Sequence, residues 1–335
     1  MTCLLEMSDL QIKFRGADRT VEAVRGCHLQ LAAGEILGLV GESGSGKSMT
    51  ALACLGLVPK PGRVTGSIRL DGHEMVGTTE AAAGHIRGGV AAMIFQNPGK
   101  ALNPFFTIGH QLVQTIAHVR RLDSSTARQA AISALGDVSV PDPEHVLRKY
   151  PHQVSGGQLQ RIMIAMALGC KPKLLIADEP TTALDVTIQA QIIVLLRELA
   201  REHGLAVLFI THDLGVVSNL CDRLAVMYAG QVVESGPVED LLDHPAHPYT
   251  ASLLTAVPAL GGGRKLLTQI PGSVPDMGDL PQGCAFHPRC SVARDLCDHV
   301  NPKRSRIGSG RAVSCHHPLV PAALAGAAQT GAHAS

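Results

Sequence analysis

Residues 4–40 alternate between apolar and polar positions in the manner of strands, with a turn near Gly16-Ala17-Asp18. A period of two puts one side of each strand on a core. Glu35–Val40 is a short apolar run that ends in a glycine-rich loop, which predicts a buried strand, and a helix is expected from Lys47 to about Leu57. Val64–Leu70 and Val90–Phe95 read as further strands. From Asn97 to Leu168 the period becomes helical, broken at Asn103-Pro104 and Pro141-Asp142-Pro143; this is a lobe inserted between strands. Strand and helix then alternate again: Lys173–Ala177, Val186–His203, Ala206–Ile210 and a short helix Asp213–Asn219. Leu224–Tyr228 and Gln231–Glu234 predict a hairpin around Ala229-Gly230. The fold class that follows is α/β, a largely parallel sheet covered on both faces, with an N-terminal antiparallel β subdomain.

After about Pro237 prolines accumulate, Gly261-Gly262-Gly263 marks a linker, and four cysteines fall close together. The expected organisation is a main domain over 4–245 with its helical insert at about 97–168, an extension over 246–318, and a disordered Ala-rich tail over 319–335.

Composition narrows the class. Hydrophobic residues make up 45% and charged residues 17%, enough apolar material for a core and too little charge for a disordered chain. Aromatics are 3% with no Trp, so packing rests on aliphatic side chains. A net charge of +1 supplies no overall field toward nucleic acid or anionic lipid, although a local basic patch stays open. There is no run of about 18 apolar residues to span a bilayer and no signal-peptide pattern. The expected compartment is therefore the cytosol, where the nine cysteines are thiols, metal ligands or catalytic groups rather than disulfides.

The segment Gly41-Glu42-Ser43-Gly44-Ser45-Gly46-Lys47-Ser48 matches G-x-x-x-x-G-K-[ST] between a predicted strand and a predicted helix. Glycines let backbone N–H groups wrap phosphate oxygens, and the helix start adds its dipole. Lys47 offers a point charge for the β- and γ-phosphates, and Ser48 a hydroxyl for Mg²⁺. Leu174–Asp178 is an apolar strand ending in two acids. Asp178 is placed to hold Mg²⁺ through water, and Glu179 to polarise an attacking water as general base. His212 ends the next strand and can orient that water. Gln96 follows the strand ending at Phe95, where it can reach the metal or the water and pass their state to the helical lobe. Taken singly, His212 reads as a surface or core histidine and Gln96 as a strand-end amide. Ser155-Gly156-Gly157-Gln158 joins a helix cap to exposed backbone N–H groups, a second anion site. One chain cannot easily bring both anion sites to one phosphate if they sit on separate lobes; two chains facing head to tail can.

In this order the residues resemble the nucleotide-binding subunits of ABC transporters: Walker A (Gly41–Ser48), Q-loop (Gln96), signature (Ser155–Gln158, with Val154 where Leu is usual), Walker B (Leu174–Asp178), Glu179, D-loop (Ala183-Leu184-Asp185) and switch His212. The resemblance covers about residues 4–260 and implies a P-loop ATPase. In that family ATP is sandwiched between one subunit's Walker A and its partner's signature. Phe14 looks like the aromatic that stacks on adenine; an inward strand Phe is an equal alternative. Phe95–Pro98, Ala101–Pro104, Pro180–Gln191 and His247-Pro248-Tyr249 resemble the oligopeptide/dipeptide importer branch, whose pattern nickel and glutathione importers largely share. That branch implies a second, different ATPase chain, two membrane permeases and an extracytoplasmic binding protein, with this chain peripheral on the cytoplasmic face of the inner membrane and no nucleic acid partner. The rival is a soluble ABC-type ATPase acting on nucleic acid or ribosomes. The single Walker A and the near-zero net charge weigh against it.

Cys284, Cys290, Cys297 and Cys315 follow C-x5-C-x6-C-x17-C. Four soft ligands suit Zn²⁺ or an iron–sulfur cluster, and reduced free thiols in a loose tail are the plainer alternative. Cys284–Cys290 resembles the C-terminal motif of dipeptide-importer ATPases, which implies a 4Fe–4S cluster. The prolines and glycines nearby leave this segment without an obvious core of its own, so a metal would help fold it. Cys3, Cys27, Cys54, Cys170 and Cys221 are expected to fill core positions.

Overall fold

The computed structural model describes residues 2–16, 19–182, 184–256, 270–308 and 310–319. The turn residues Ala17 and Asp18, the Gly261–Gly263 linker and the tail beyond Leu319 lie outside them. The chain forms two compact units, one from residues 2–5, 31–36 and 70–210, the other from 6–30, 37–69 and 211–319.

In the first unit the strands Ala91–Ile94, Leu174–Asp178 and Ala206–Thr211 run parallel, in register from Ala91↔Leu174 and Leu174↔Ala206. The last two are buried at every position, which is why they read as apolar runs rather than alternating ones. Helices Ile108–Arg120, Ser124–Asp137 and Gly156–Gly169 pack on one another in this unit. Ile108, Leu112 and Ile116 form the buried stripe of the first. Gly169 lets that helix come close, since a Cβ there would meet Ile116 Cδ1 at 2.6 Å. Thr107 and Asp123 cap two of these helices, accepting from the N–H groups of His110 and of Ser125 and Thr126. Helix Val186–His203 has the bounds its sequence predicts, because Asp185 caps its start and Gly204, at φ 59°, closes its end.

The second unit holds most of Thr20–Ala32, Cys3–Arg15 and Arg63–Leu70, which are neighbours in one sheet in that order. Ile36–Val40 runs parallel to Arg223–Tyr228, which turns through Ala229 and Gly230 into the antiparallel Gln231–Pro237. Helix Lys47–Cys54 stops three residues before Leu57, where Gly56 takes φ 63° and the Leu57 N–H closes back on the Leu52 carbonyl.

The C-terminal segment departs from its expectation. Phe286 and Ala285 are buried in one cluster with Tyr228, Tyr249 and Val40. The strand Ala312–Val313 pairs antiparallel with Gln231–Pro237, and Ser305–Arg306 pairs with it in turn. The segment therefore has a core, borrowed from the main strands, which a search for a local apolar period could not detect. A buried ion pair fixes it: Glu234, fully buried, accepts from the Ala246 and His247 N–H groups and from Arg311 at 2.8, 2.9 and 3.1 Å. Such satisfaction is what a buried charge requires.

Candidate functional site

The glycine-rich loop lies in the second unit, between the fully buried strand Ile36–Val40 and helix Lys47–Cys54. Gly46 is left-handed at φ 102°, and a Cβ there would meet the Ala23 carbonyl oxygen at 2.4 Å and Met227 Cε at 2.9 Å. At Gly41 the Met227 carbonyl stands 2.1 Å from where a Cβ would be. At these two positions the loop has room only for glycine. Lys47 is buried within it and donates from Nζ to the carbonyls of Gly41 and Glu42 at 2.8 and 2.9 Å and to Ser45 Oγ at 3.4 Å. The Gly230 N–H donates to the Ser45 carbonyl, which ties the loop to the 229–230 turn. A concave, amide-rich, cation-bearing cradle at a helix start fits a phosphate chain.

Glu42 carries a contact that no local reading of the sequence contains. Arg289 donates to both its carboxylate oxygens, Nη1 at 2.7 Å and Nη2 at 3.0 Å, and from Nε to the Pro271 carbonyl. The Glu42 N–H donates to the Tyr249 hydroxyl at 3.0 Å. The carboxylate raises the Arg289 pKa, while burial raises those of Tyr249 and Tyr228. Tyr249 and Arg289 entered above only as parts of the motifs His247–Tyr249 and Cys284–Cys290. Phe14 is half-buried in the same unit, its ring edge against Gly62.

The acidic strand end lies in the first unit. Asp178 is 8% exposed. Glu179 takes φ 46°, a strained value for a side chain of its size, and its N–H donates to the Ile210 carbonyl. Gln96 Nε2 and Thr182 Oγ1 both donate to Glu179 Oε2, each at 2.9 Å. The structure therefore brings Gln96 and Glu179 together, and it adds Thr182. Ser155 caps helix Gly156–Gly169 in a reciprocal capping box with Gln158. Gly157 lies against Ile188, with 3.0 Å between an added Cβ and Ile188 Cγ2, so the signature turn meets the helix that Asp185 caps through the Ile188 N–H. His212 is exposed at the end of Ala206–Thr211, just before Asp213, which caps helix Leu214–Leu220.

Cys284, Cys290, Cys297 and Cys315 all line one small cavity with His287, His316 and His317. Burial raises the thiol pKa of Cys284, Cys290 and Cys315, the last to about 11, and the neighbouring thiols add to each shift. Four convergent sulfurs suit a soft metal in kind. Among the described residues, however, no group of three or more His, Cys, Asp or Glu is arranged to hold a metal ion. Of the other cysteines, Cys27, Cys54 and Cys170 are buried as expected and Cys221 is half-buried. Cys3, the first residue of its strand, is exposed rather than core.

Residues 24–182 match the family described as ABC transporter, and residues 233–297 match the oligopeptide/dipeptide transporter, C-terminal region. The oligopeptide transport ATP-binding protein OppD of Haemophilus influenzae is 46% identical over 315 residues, covering 94% of this chain and 97% of that protein. The chain belongs to the ATP-binding subunits of the oligopeptide/dipeptide ABC transporter family. Two other members are similarly close: the dipeptide transport protein DppD of Escherichia coli at 45% and the oligopeptide transport protein AppD of Bacillus subtilis at 46%, each over 317 residues. Among solved structures, the ATP-binding cassette MJ0796, a dimer in a post-hydrolysis state bound to ADP and Pi, superposes with a TM-score of 0.63 at 26% identity. It covers 70% of this chain and 98% of that one. As an ABC ATPase subunit the chain is an ATP hydrolase. Among the described residues no helix is long and apolar enough to cross a membrane.

Proposed function

We propose that this chain is one of two ATPase subunits driving uptake of di- or oligopeptides through a pair of membrane permeases, from the cytoplasmic face of the membrane. The hydrogen bond from Gln96 to Glu179 carries this reading, because it joins the acid that would handle the water to the residue where the chain enters the helical lobe. The cradle Gly41–Ser48 binds the phosphates of ATP, Lys47 bears on the β- and γ-phosphates, and Phe14 stacks on adenine. Ser48, Asp178 and Gln96 would hold Mg²⁺, which when bound neutralises phosphate charge. Glu179 takes the proton of the attacking water, and His212 orients that water. Ser155, Gly156, Gly157 and Gln158, with Asp185 behind them, face the nucleotide of the partner subunit. The dimeric state of the cassette MJ0796 supports that arrangement.

Recovery from crosslinked membranes tests the assembly. The expected product is this chain with two permeases and a second ATPase subunit. Recovery with nucleic acid or ribosomes instead would support the soluble alternative.

For the cysteine segment the reading is a metal centre, a 4Fe–4S cluster in preference to Zn²⁺; it rests on the resemblance of Cys284–Cys290 and on the four thiols lining one cavity, although they are not arranged around an ion. Anaerobically purified protein should be brown and hold about four irons per chain. Stoichiometric zinc without iron would reverse the preference, and no metal at all would leave reduced thiols.

A further inference from the structure

A cavity of about 440 Å³ opens in the second unit beside the C-terminal strand pair, and Arg223, Arg304, Arg306, Arg311 and His28 line it. No carboxylate is among the described residues that form its wall. The local sequence explains the concentration of charge. Arg304 and Arg306 are two apart on an extended segment, which sends both side chains to one face. The chain then turns through Gly308 and Gly310, at φ 67° and 77°, and Arg311 follows directly.

Compensation is incomplete at Arg304 and Arg306, and at one atom of Arg311. Arg311 is tied at its Nη2 to Glu234 and to the His244 carbonyl, yet its Nε is buried with no hydrogen-bond partner among the described residues. Neither Arg304 nor Arg306 pairs with a carboxylate among the described residues. Partial burial lowers the Arg304 pKa, and the positive charges of Arg306 and Arg223 lower it further. Like charges gathered in a partly dry concavity repel one another unless an anion joins them.

We infer that this cavity is a binding site for a phosphate-bearing anion. Guanidinium forks match phosphate oxygens in pairs, and several together select a multiply charged group over chloride or a lone carboxylate. The volume falls within the range of small-molecule sites, about 300–1,000 Å³, so it admits a phosphate ester rather than a bare ion. Two sources share this chemistry: a soluble di- or triphosphate and the headgroup of an anionic lipid. No residue of Gly41–Ser48 lines the cavity, so the inference stands apart from the hydrolytic reading.

The test uses the full chain with Lys47→Ala, which suppresses binding at the glycine loop, and titrates it calorimetrically with inorganic pyrophosphate at fixed ionic strength. Binding should weaken at least tenfold when Arg304→Gln and Arg306→Gln are added. It should stay within a fewfold when the same positions become Lys. The glutamine variant should melt no lower than its parent, since it removes repulsion and no ion pair, so lost binding would not reflect unfolding. Flotation with phosphatidylglycerol and phosphatidylcholine vesicles separates the sources. Flotation with the anionic vesicles alone, abolished in the glutamine variant, identifies a lipid headgroup; pyrophosphate binding without flotation identifies a soluble phosphate. If the parent and the glutamine variant behave alike in both assays, the inference is wrong.

Discussion

The Arg289 guanidinium holds the Glu42 carboxylate by two hydrogen bonds, 2.7 and 3.0 Å, across 247 residues of sequence. Glu42 is the second residue of the glycine-rich loop, and Arg289 immediately precedes Cys290. The C-terminal extension thus grips the phosphate loop directly, and the Tyr249 hydroxyl receives the N–H of the same residue. A charge-assisted hydrogen bond contributes about 1.5–3 kcal/mol, and part of that contribution orders the loop for ATP. Arg289→Ala should raise KM for ATP by roughly three- to thirty-fold, corresponding to about 0.7–2 kcal/mol, with kcat changed less. Arg289→Lys keeps the charge and loses the fork, so it should fall between. An unchanged KM in steady-state ATPase assays would show that the grip does not organise the loop.

Gly46→Ala should abolish ATP binding. The substitution forces a Cβ to 2.4 Å from the Ala23 carbonyl at φ 102°, so the loop must move off its cradle. The strain is of order 1–3 kcal/mol, visible as a lower melting temperature alongside lost binding of a fluorescent ATP analogue. Gly44→Ala meets no atom within 4 Å, although its φ is 78°, and should cost less in both readouts.

The cysteines offer a check on burial. Burial pushes the Cys27 and Cys54 thiols up to about 12, which leaves a thiolate fraction of about 10⁻⁴ at pH 8. Both should resist iodoacetamide in the native chain, whereas the exposed Cys3 is alkylated. Mass spectrometry of peptides from briefly treated protein distinguishes them. Early modification of Cys54 would contradict the packing around helix Lys47–Cys54.

The parts legible in the sequence are those whose causes are local. Ile36–Val40, Leu174–Asp178 and Ala206–Thr211 are buried at every position, so each reads as an apolar run bounded by polar or turn residues. Helix Val186–His203 is punctuated by Asp185 and Gly204, and the hairpin by Ala229-Gly230. The lobe after Asn97 shows itself through a change of period. What sequence could not show depends on contacts far apart along the chain. The grip of Arg289 on Glu42 has no periodicity. The two-residue strand Ala312–Val313 exists because Gln231–Pro237 presents an edge to it, and its own length carries no signal. Thr182 reaches Glu179 through a turn of three residues, but a threonine is ordinary in such a turn and nothing in the composition singles it out.

We propose that Glu179 powers transport by handling the hydrolytic water. It is tested most directly by replacing Glu179 with Gln in the complete transporter, reconstituted in liposomes with labelled peptide outside and ATP at this chain. Loss of a general base slows hydrolysis by about 10²–10⁴-fold. That loss is expected together with loss of peptide uptake, while ATP remains bound in a closed dimer. Hydrolysis and uptake near the wild-type rate in the Glu179→Gln transporter would contradict it.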